Sequence, residues 1–353
     1  MRRFDYSFLR DGLLPANLVN ITTTISSLKT KAEFRKDDHI KVFTELEAIA
    51  KIQSVKSSNA IEGIITSDDR IHALVKQNSS PLNHTEAEIA GYRDALNVVH
   101  TNYDVLDLCQ RDILKLHELM MNLAGYEHGG QYKTTDNVIV EEDSSGNRRV
   151  RFRPTPAAET EAAMEQLELA YMVARDDARI HPLLLIPCVV LDFLCIHPFK
   201  DGNGRLSRLL SLLLLYKNGY DAGKYVSFEG QISQYKAFYY ETLQESSKGW
   251  ETNENDYFPF VENFLTMLYM CYKDLDKRFA VVHGKKVTKR NRIEETVLNS
   301  LLPVSKSEIC QIHPDISPST VEAVLGEMIK QGLIEKIGKG RVTKYHKKEK
   351  NFF

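Results

Sequence analysis

The run LLLIPCVVLDFLCI, Leu183 to Ile196, constrains this chain more than any other stretch. It is apolar on nearly every side at helical spacing, so a helix made from it must be surrounded on all faces. Pro187 and Asp192 interrupt it, and its length falls short of the roughly twenty residues a membrane crossing takes. A central helix buried in a helical domain is the consequence.

The chain leaves that helix through HPFKDGNGRLSR, residues 197–208. Pro198 should restrict His197 to extended backbone and set its imidazole at the lip of a turn. Asp-Gly-Asn-Gly tolerates left-handed or close backbone paths, and the next residues resume helical periodicity at once. A helix entered this way carries unpartnered N–H groups at the positive end of its dipole, which suits phosphate. Arg205 and Arg208, three apart, should share one face of the first turn and grip the outer phosphates. Asp201 offers a hard oxygen to a magnesium ion bridging those phosphates. His197 can take a proton from an attacking hydroxyl, an effect of about 10²–10⁴-fold. Each feature alone has a plainer reading as helix end, turn or solvated face. Together, behind a buried helix, they read as a nucleotidyl-transfer site.

The 353 residues leave room for two or three domains at ~150 residues each. With 42% apolar and 27% charged residues and a net charge of -2, the composition is that of an ordinary soluble protein with no global pull toward a polyanion. Five cysteines without a CxxC pair suggest neither a disulfide framework nor zinc, and the N-terminus has no continuous apolar leader. A cytoplasmic protein with no membrane segment is expected. Helical periodicity recurs over 38–55, 85–102, 108–124, 156–175, 183–196, 203–217, 233–246 and 256–280, with a break expected at KSSNAIEG. Asp192, inside the apolar run, reads as a structural tie rather than a proton relay, and Cys188 and Cys195 as core packing.

One interval departs from the helical pattern. Val138–Val140 and Val150–Phe152 flank the turn-rich SSGN, which suits a β-hairpin, although a surface loop is the plainer reading. Beyond the basic stretch VVHGKKVTKRNR come a helix-like Arg292–Leu301, Ser305–Ile312, a third helix capped by Ser317 or Ser319, and two strands around Gly338–Gly340. Three short helices and a hairpin describe a winged helix. Residues 283–353 hold fourteen Lys/Arg against eight Asp/Glu, so this tail is basic while the remainder is acidic. The divisions expected are 1–107, 108–282 and 283–353, in an all-α protein with a small β-flap and the winged helix.

HPFKDGNGRLSR matches residue for residue the HPFx(D/E)GNGRxxR signature of the Fic family, which most often transfers AMP from ATP to a protein hydroxyl. A second match lies in SSNAIEG, where Ser58, Glu62 and Gly63 resemble the family's inhibitory (S/T)xxxE(G/N) motif. The resemblance implies His197 as base, Asp201 as magnesium ligand, and Lys200, Gly202, Asn203, Gly204, Arg205 and Arg208 along the phosphates of ATP. It implies a flap in which Val138, Ile139 and Val140 pair with the target peptide, and a nucleoside-side helix presenting Tyr239 and Tyr240. Lys133 stands where relatives usually carry Arg, and Ser246-Ser247 where some place Asn. Glu62 would pair with Arg208 and displace the outer phosphate. On the residues alone, Asn59-x-x-Glu62 reads instead as a capping box.

The expected function is a protein adenylyltransferase acting on Ser, Thr or Tyr of a target protein or of itself, restrained by Glu62. The alternatives are removal of AMP from a modified protein, or a bifunctional enzyme. A different class is a DNA-binding regulator using the winged helix, though SPSTVEAVLGEMIKQG carries Glu322 and Glu327 against Lys330 alone, a poor set for phosphate and better suited to a protein contact. A homo-oligomer is compatible with the sequence.

Overall fold

A computed structural model describes residues 2–142, 148–280, 288–298, 300, 303–313, 316–338 and 343–348. The SSGN stretch at 144–147, expected as a turn, the basic stretch at 281–287, Leu301, and Lys339 and Gly340, expected between two strands, lie outside them. The chain divides into two compact units, Met1–Leu275 and Asp276–Phe353, and residues 1–107 belong with the first.

The first unit runs α1 (Phe8–Asp11), α2 (Ala16–Asp38), α3 (Ile40–Ile61), α4 (Asp68–Lys76), α5 (His84–Asn102) and α6 (Gln110–Asn122). A two-stranded hairpin follows, β1 (Ile139–Glu142) against β2 (Arg148–Phe152), antiparallel with a register shift between Ile139 and Val140. Then come α7 (Thr160–Arg175), α8 (Pro182–Ile196), α9 (Asn203–Lys217), α10 (Phe228–Gln234), α11 (Lys236–Ser247) and α12 (Phe258–Ala280), whose last residues, from Asp276, fall in the second unit. Every residue of α8 from Leu183 to Ile196 is buried, and α7, α9 and α11 pack around it. Burying each Leu, Ile, Val or Phe stabilises by about 1.5–3 kcal/mol, so this helix anchors the site that follows it. His181 caps its start, with Pro182 at the first helical position where the missing N–H costs nothing.

Two expectations are corrected here. The chain does not break at KSSNAIEG, because α3 continues to Ile61, with Ser54, Ser58 and Asn59 buried. Asn59 is no cap: its Nδ2 donates to Val55 O inside the helix at 2.7 Å, which removes the capping-box reading. Helix α2 lies outside the stretches expected to be helical, and it forms across the Thr-rich NITTTISS. Its hydroxyls at Thr22, Thr23, Thr24, Ser26 and Thr30 return to carbonyls one turn back, and Leu18, Ile25 and Ala32 are buried.

The buried carboxylate of Asp192 is satisfied by the core. Tyr6 Oη donates to Oδ2 at 2.7 Å, Trp250 Nε1 to Oδ1 at 2.6 Å, and Tyr257 Oη reaches both oxygens at 3.0 and 2.9 Å. Arg2 Nη2 stands 3.5 Å away. Burial pushes the Asp192 carboxyl up, while Arg2 and the three donors oppose it. The N-terminal segment is thereby tied to the middle of α8, a structural role.

The second unit contains α13 (Lys289–Leu298), β3 (Val304–Ser305), α14 (Lys306–Ile312), α15 (Pro318–Lys330), β4 (Ile334–Ile337) and β5 (Lys344–Lys347). The antiparallel sheet has the order β3-β5-β4. Ser317, rather than Ser319, caps α15, and Ser305 forms a capping box with Glu308 on α14. Ile293, Val297, Ile309, Val321, Leu325 and Met328 form its core. Among the described residues, no helix is long and apolar enough to cross a membrane.

Candidate nucleotide-transfer site

Helix α8 ends on His197, whose N–H still donates to Phe193 O at 3.0 Å. The backbone there is left-handed, φ 51° and ψ 62°, not extended as Pro198 alone would dictate. Reversing the chain straight out of a buried helix needs a left-handed closing residue, at a cost of about 1–2 kcal/mol for a non-glycine. The half-buried imidazole has Nδ1 3.3 Å from Leu194 O. With Nδ1–H donating there, Nε2 keeps its lone pair for an incoming proton. Burial lowers the His197 pKa to about 4, helped by Lys133 and opposed by the Leu194 bond, Glu62 and Asp201, so the ring is neutral near pH 7.

The loop after it is held from within. Asn203 Oδ1 accepts from Phe199 N at 2.9 Å and its Nδ2 donates to Phe199 O at 2.8 Å. Its side chain therefore closes the loop, leaving only its backbone to face a phosphate. Gly202 has φ 80°, and a Cβ there would stand 2.8 Å from Met120 Cε. Helix α9 then opens with the N–H groups of Asn203, Gly204 and Arg205 lacking helical acceptors. Asp201 is exposed, its Oδ1 accepting from Gly202 N at 2.6 Å, and Lys200 is exposed.

The two arginines diverge instead of forming one clamp. Both are buried, at 1% and 2% exposure. Arg205 turns toward α5 and α6, with Nη1 2.9 Å from Glu88 Oε2 and Nη2 3.6 Å from Asp201 Oδ2. Arg208 turns to the end of α3. Its Nε donates to Ser58 Oγ at 2.8 Å, and its Nη2 to Ser58 O at 2.9 Å and to Glu62 Oε1 at 2.8 Å. Burial works against the Arg208 charge, yet Glu62, Tyr92 and Tyr240 hold its pKa above the ordinary value. The same Glu62 oxygen lies against Gly204, where an added Cβ would collide with it. A carboxylate thus occupies the first turn of α9.

Gly63 explains why Glu62 stands there. With φ 80°, it lets Gly63 N donate to Ala60 O and Ile64 N to Asn59 O, a Schellman closure that fixes Glu62 as the last residue of the turn. Lys236 Nζ donates to Ile61 O at 2.6 Å from α11. Ser54 Oγ bonds Ser227 Oγ and Glu229 Oε2 at 2.8 and 2.7 Å, fastening α3 to α10.

The tyrosine pair also separates. Tyr239 is buried edge-on against Phe260, whereas Tyr240 lies nearer the site, with the Arg151 guanidinium 5.5 Å from its ring. Ser246 is buried, and its Oγ accepts from Phe260 N at 3.1 Å. The hairpin exposes Val138 and Val140, with Ile139 between them half-buried.

Two buried groups complete the loop's support. Lys133 Nζ donates to Ile196 O at 3.2 Å and Asn137 Oδ1 at 2.9 Å, and Asn137 Nδ2 donates to Phe199 O at 3.2 Å. This ties the flap root to the end of α8, and burial lowers the Lys133 pKa to about 8. His117 of α6 was missed by the sequence reading. It lies on the apolar face with Ile113, Leu116 and Met120, where a buried polar ring must have partners, and that placement was the available signal.

Residues 107–215 match the Fic/DOC family. A protein adenylyltransferase Fic of Nematostella vectensis is 26% identical over 212 residues, covering 57% of this chain and 44% of that protein. A Fido domain-containing protein of Dictyostelium discoideum is 31% identical over 86 residues, covering 24% and 58%. The chain spans less than half the length of the Fic adenylyltransferases it matches. In fold, a Fic family protein from Desulfovibrio desulfuricans G20 superposes with a TM-score of 0.60 at 20% identity, covering 97% of this chain and 98% of that one. Fic-1 from C. elegans reaches 0.55 at 19% identity, covering 73% and 71%. The signature loop at the α8–α9 junction falls inside the segment, residues 107–215, that matches the Fic/DOC family.

Proposed function

We propose that the chain is an ATP-dependent protein adenylyltransferase whose outer-phosphate site is held shut by Glu62. The observation that carries this reading is the Glu62 carboxylate seated on Arg208 and against Gly204, an anion standing where a phosphate would stand. In the reaction, a target hydroxyl oxygen attacks the α-phosphorus of ATP. The bond to the β-phosphate oxygen breaks and pyrophosphate leaves. His197 Nε2 takes the hydroxyl proton. The free N–H groups at the start of α9 and the cation of Arg208 stabilise charge on the phosphates once Glu62 withdraws. Tyr240 would border the nucleoside.

Asp201 fits magnesium as a single exposed carboxylate beside the loop. Among the described residues, no three His, Cys, Asp or Glu side chains gather to hold a metal, so phosphate and water oxygens would complete the shell. When bound, the ion would neutralise phosphate charge. The exposed edge of β1 suits main-chain pairing with an extended target segment.

The second unit reads as a winged helix that meets protein rather than DNA. Its α15 acids are paired with cations of the same unit, Lys306 with Glu322 at 2.5 Å and Arg290 with Glu327 at 2.7 Å, so this helix presents carboxylates where a DNA-reading helix would present cations to phosphate.

Intact mass measurement with each nucleoside triphosphate and magnesium tests the reading. Glu62→Gly should gain one nucleoside monophosphate with ATP, wild type should gain less, and His197→Ala none. No gain by Glu62→Gly with any triphosphate, or a gain by His197→Ala, overturns it.

A further inference from the structure

The loop that would receive the polyphosphate is aimed by a side chain outside it. His117 is fully buried on α6, and its ring stacks on Phe199 with centroids 3.7 Å apart and planes 14° from parallel. Gly130 N–H donates to its Nδ1 at 2.9 Å, and its Nε2 lies 3.0 Å from Asp201 O. An Nδ1 that accepts cannot carry the proton of a neutral ring, so the proton is on Nε2 and donates to the Asp201 carbonyl. In a trans peptide, the carbonyl of Asp201 and the N–H of Gly202 point in opposite directions. Drawing the carbonyl toward α6 therefore turns the Gly202 N–H outward, where it meets Asp201 Oδ1. Gly202 sits so close to His117, 3.3 Å from an added Cβ to Nε2, that the loop has no slack on this side.

We propose that His117 is a positioning residue: through one fixed tautomer it holds the Asp201–Gly202 peptide so that the loop's amides face the phosphates of a bound nucleoside triphosphate. The proposal rests on the adenylyltransferase reading for the identity of the ligand, though not for the hydrogen bonds. It separates two contributions that loop sequence alone merges. Glycines make the backbone path accessible, and His117 selects one orientation along it.

Three substitutions distinguish the roles in a Glu62→Gly background. His117→Phe keeps the stacked ring and loses both hydrogen bonds. His117→Asn keeps an acceptor for Gly130 but does not reach Asp201 O, and His117→Gln carries a donor out to Asp201 O. Titration with a non-hydrolysable ATP analogue and magnesium should weaken about tenfold for Phe and Asn, and within about threefold for Gln. The loss should appear in KM more than in kcat, because His117 touches no reacting atom. Unchanged affinity in a folded His117→Phe protein, or His117→Gln no better than Phe, overturns the proposal.

A second measurement is independent of any nucleotide. In histidine-labelled, ligand-free protein, the ¹H–¹⁵N spectrum should show His117 as the neutral Nε2–H tautomer with a slowly exchanging proton. An Nδ1–H tautomer or a rapidly exchanging ring proton overturns the proposal even if ATP binds. If no triphosphate binds Glu62→Gly at all, the adenylyltransferase reading fails, and with it the ligand half of this inference. The spectrum still decides whether His117 holds the loop.

Discussion

Two buried charges on consecutive helices are satisfied in opposite ways. Asp192, in the middle of α8, is wholly enclosed and bonded by Tyr6, Trp250 and Tyr257, all rooted in the core. Arg208, in the first turns of α9, is nearly as buried, yet one of its partners is Glu62, whose side chain is 32% exposed at the very end of a helix. A charge sealed by core groups can only be structural, because releasing it requires unfolding. A charge whose partner reaches in from the surface can exchange that partner for a ligand.

The largest expected effect breaks the first of these sites. Asp192→Ala leaves two tyrosine hydroxyls and an indole N–H without their acceptor and the buried Arg2 without its carboxylate, and should cost about 3–5 kcal/mol in urea unfolding. A loss under about 1 kcal/mol would mean that Asp192 is not the tie described.

The next effect sharpens the comparison through pH. Burial lowers the pKa of His100 to about 3 and of His117 and His197 to about 4, against an ordinary 6.5. Below 6.5 the unfolded chain binds protons these rings refuse in the fold, so stability falls as pH drops from about 6.5 toward 4. The slope is up to about 1.4 kcal/mol per pH unit for each ring. Chemical unfolding at stepped pH measures it, and a flat profile over that window removes the buried, neutral state of these rings.

At the second site, Glu62→Gly should change stability by no more than about 1 kcal/mol, since a partly exposed ion pair contributes little, while raising transfer activity. Comparable destabilisation at Glu62 and Asp192 would erase the distinction drawn between them. The smallest effect is expected at Lys236→Met, which removes the bond to Ile61 O and loosens the end of α3. It should raise activity a few-fold, on the order of the roughly 1 kcal/mol of one hydrogen bond, and most at low ATP, because Glu62 and the outer phosphate compete for Arg208. Initial rates with wild-type Glu62 present decide it.

Much of the site was legible because its signals are local. An all-round apolar run demands a buried helix, and Asp-Gly-Asn-Gly before renewed periodicity demands a turn into another. Ser58 and Glu62 were legible only through the resemblance of SSNAIEG to the inhibitory motif, since the residues alone read as a capping box, and the structure sets both on Arg208. What was misread involved competition between local and distant terms. Pro198 favours extended geometry at His197, but the closing bond to Phe193 O and the burial on both sides of the turn outweigh it. The Thr-rich α2 lacks intrinsic helix preference and is held by its packed face, a tertiary contribution invisible to propensity.

By itself, the sequence determined which residues form α8 and α9, where the chain turns between them, and which chemical groups that turn carries. These follow from spacing over a few residues, where covalent connection already brings the groups together. Only the tertiary structure decided that Arg205 would turn away from Arg208 to face Glu88, that His117 would hold the Asp201 carbonyl, and that Tyr6 and Trp250 would meet on Asp192. Such partners lie tens to hundreds of residues apart, so their meeting depends on how whole helices pack and on every buried polar group finding a complement.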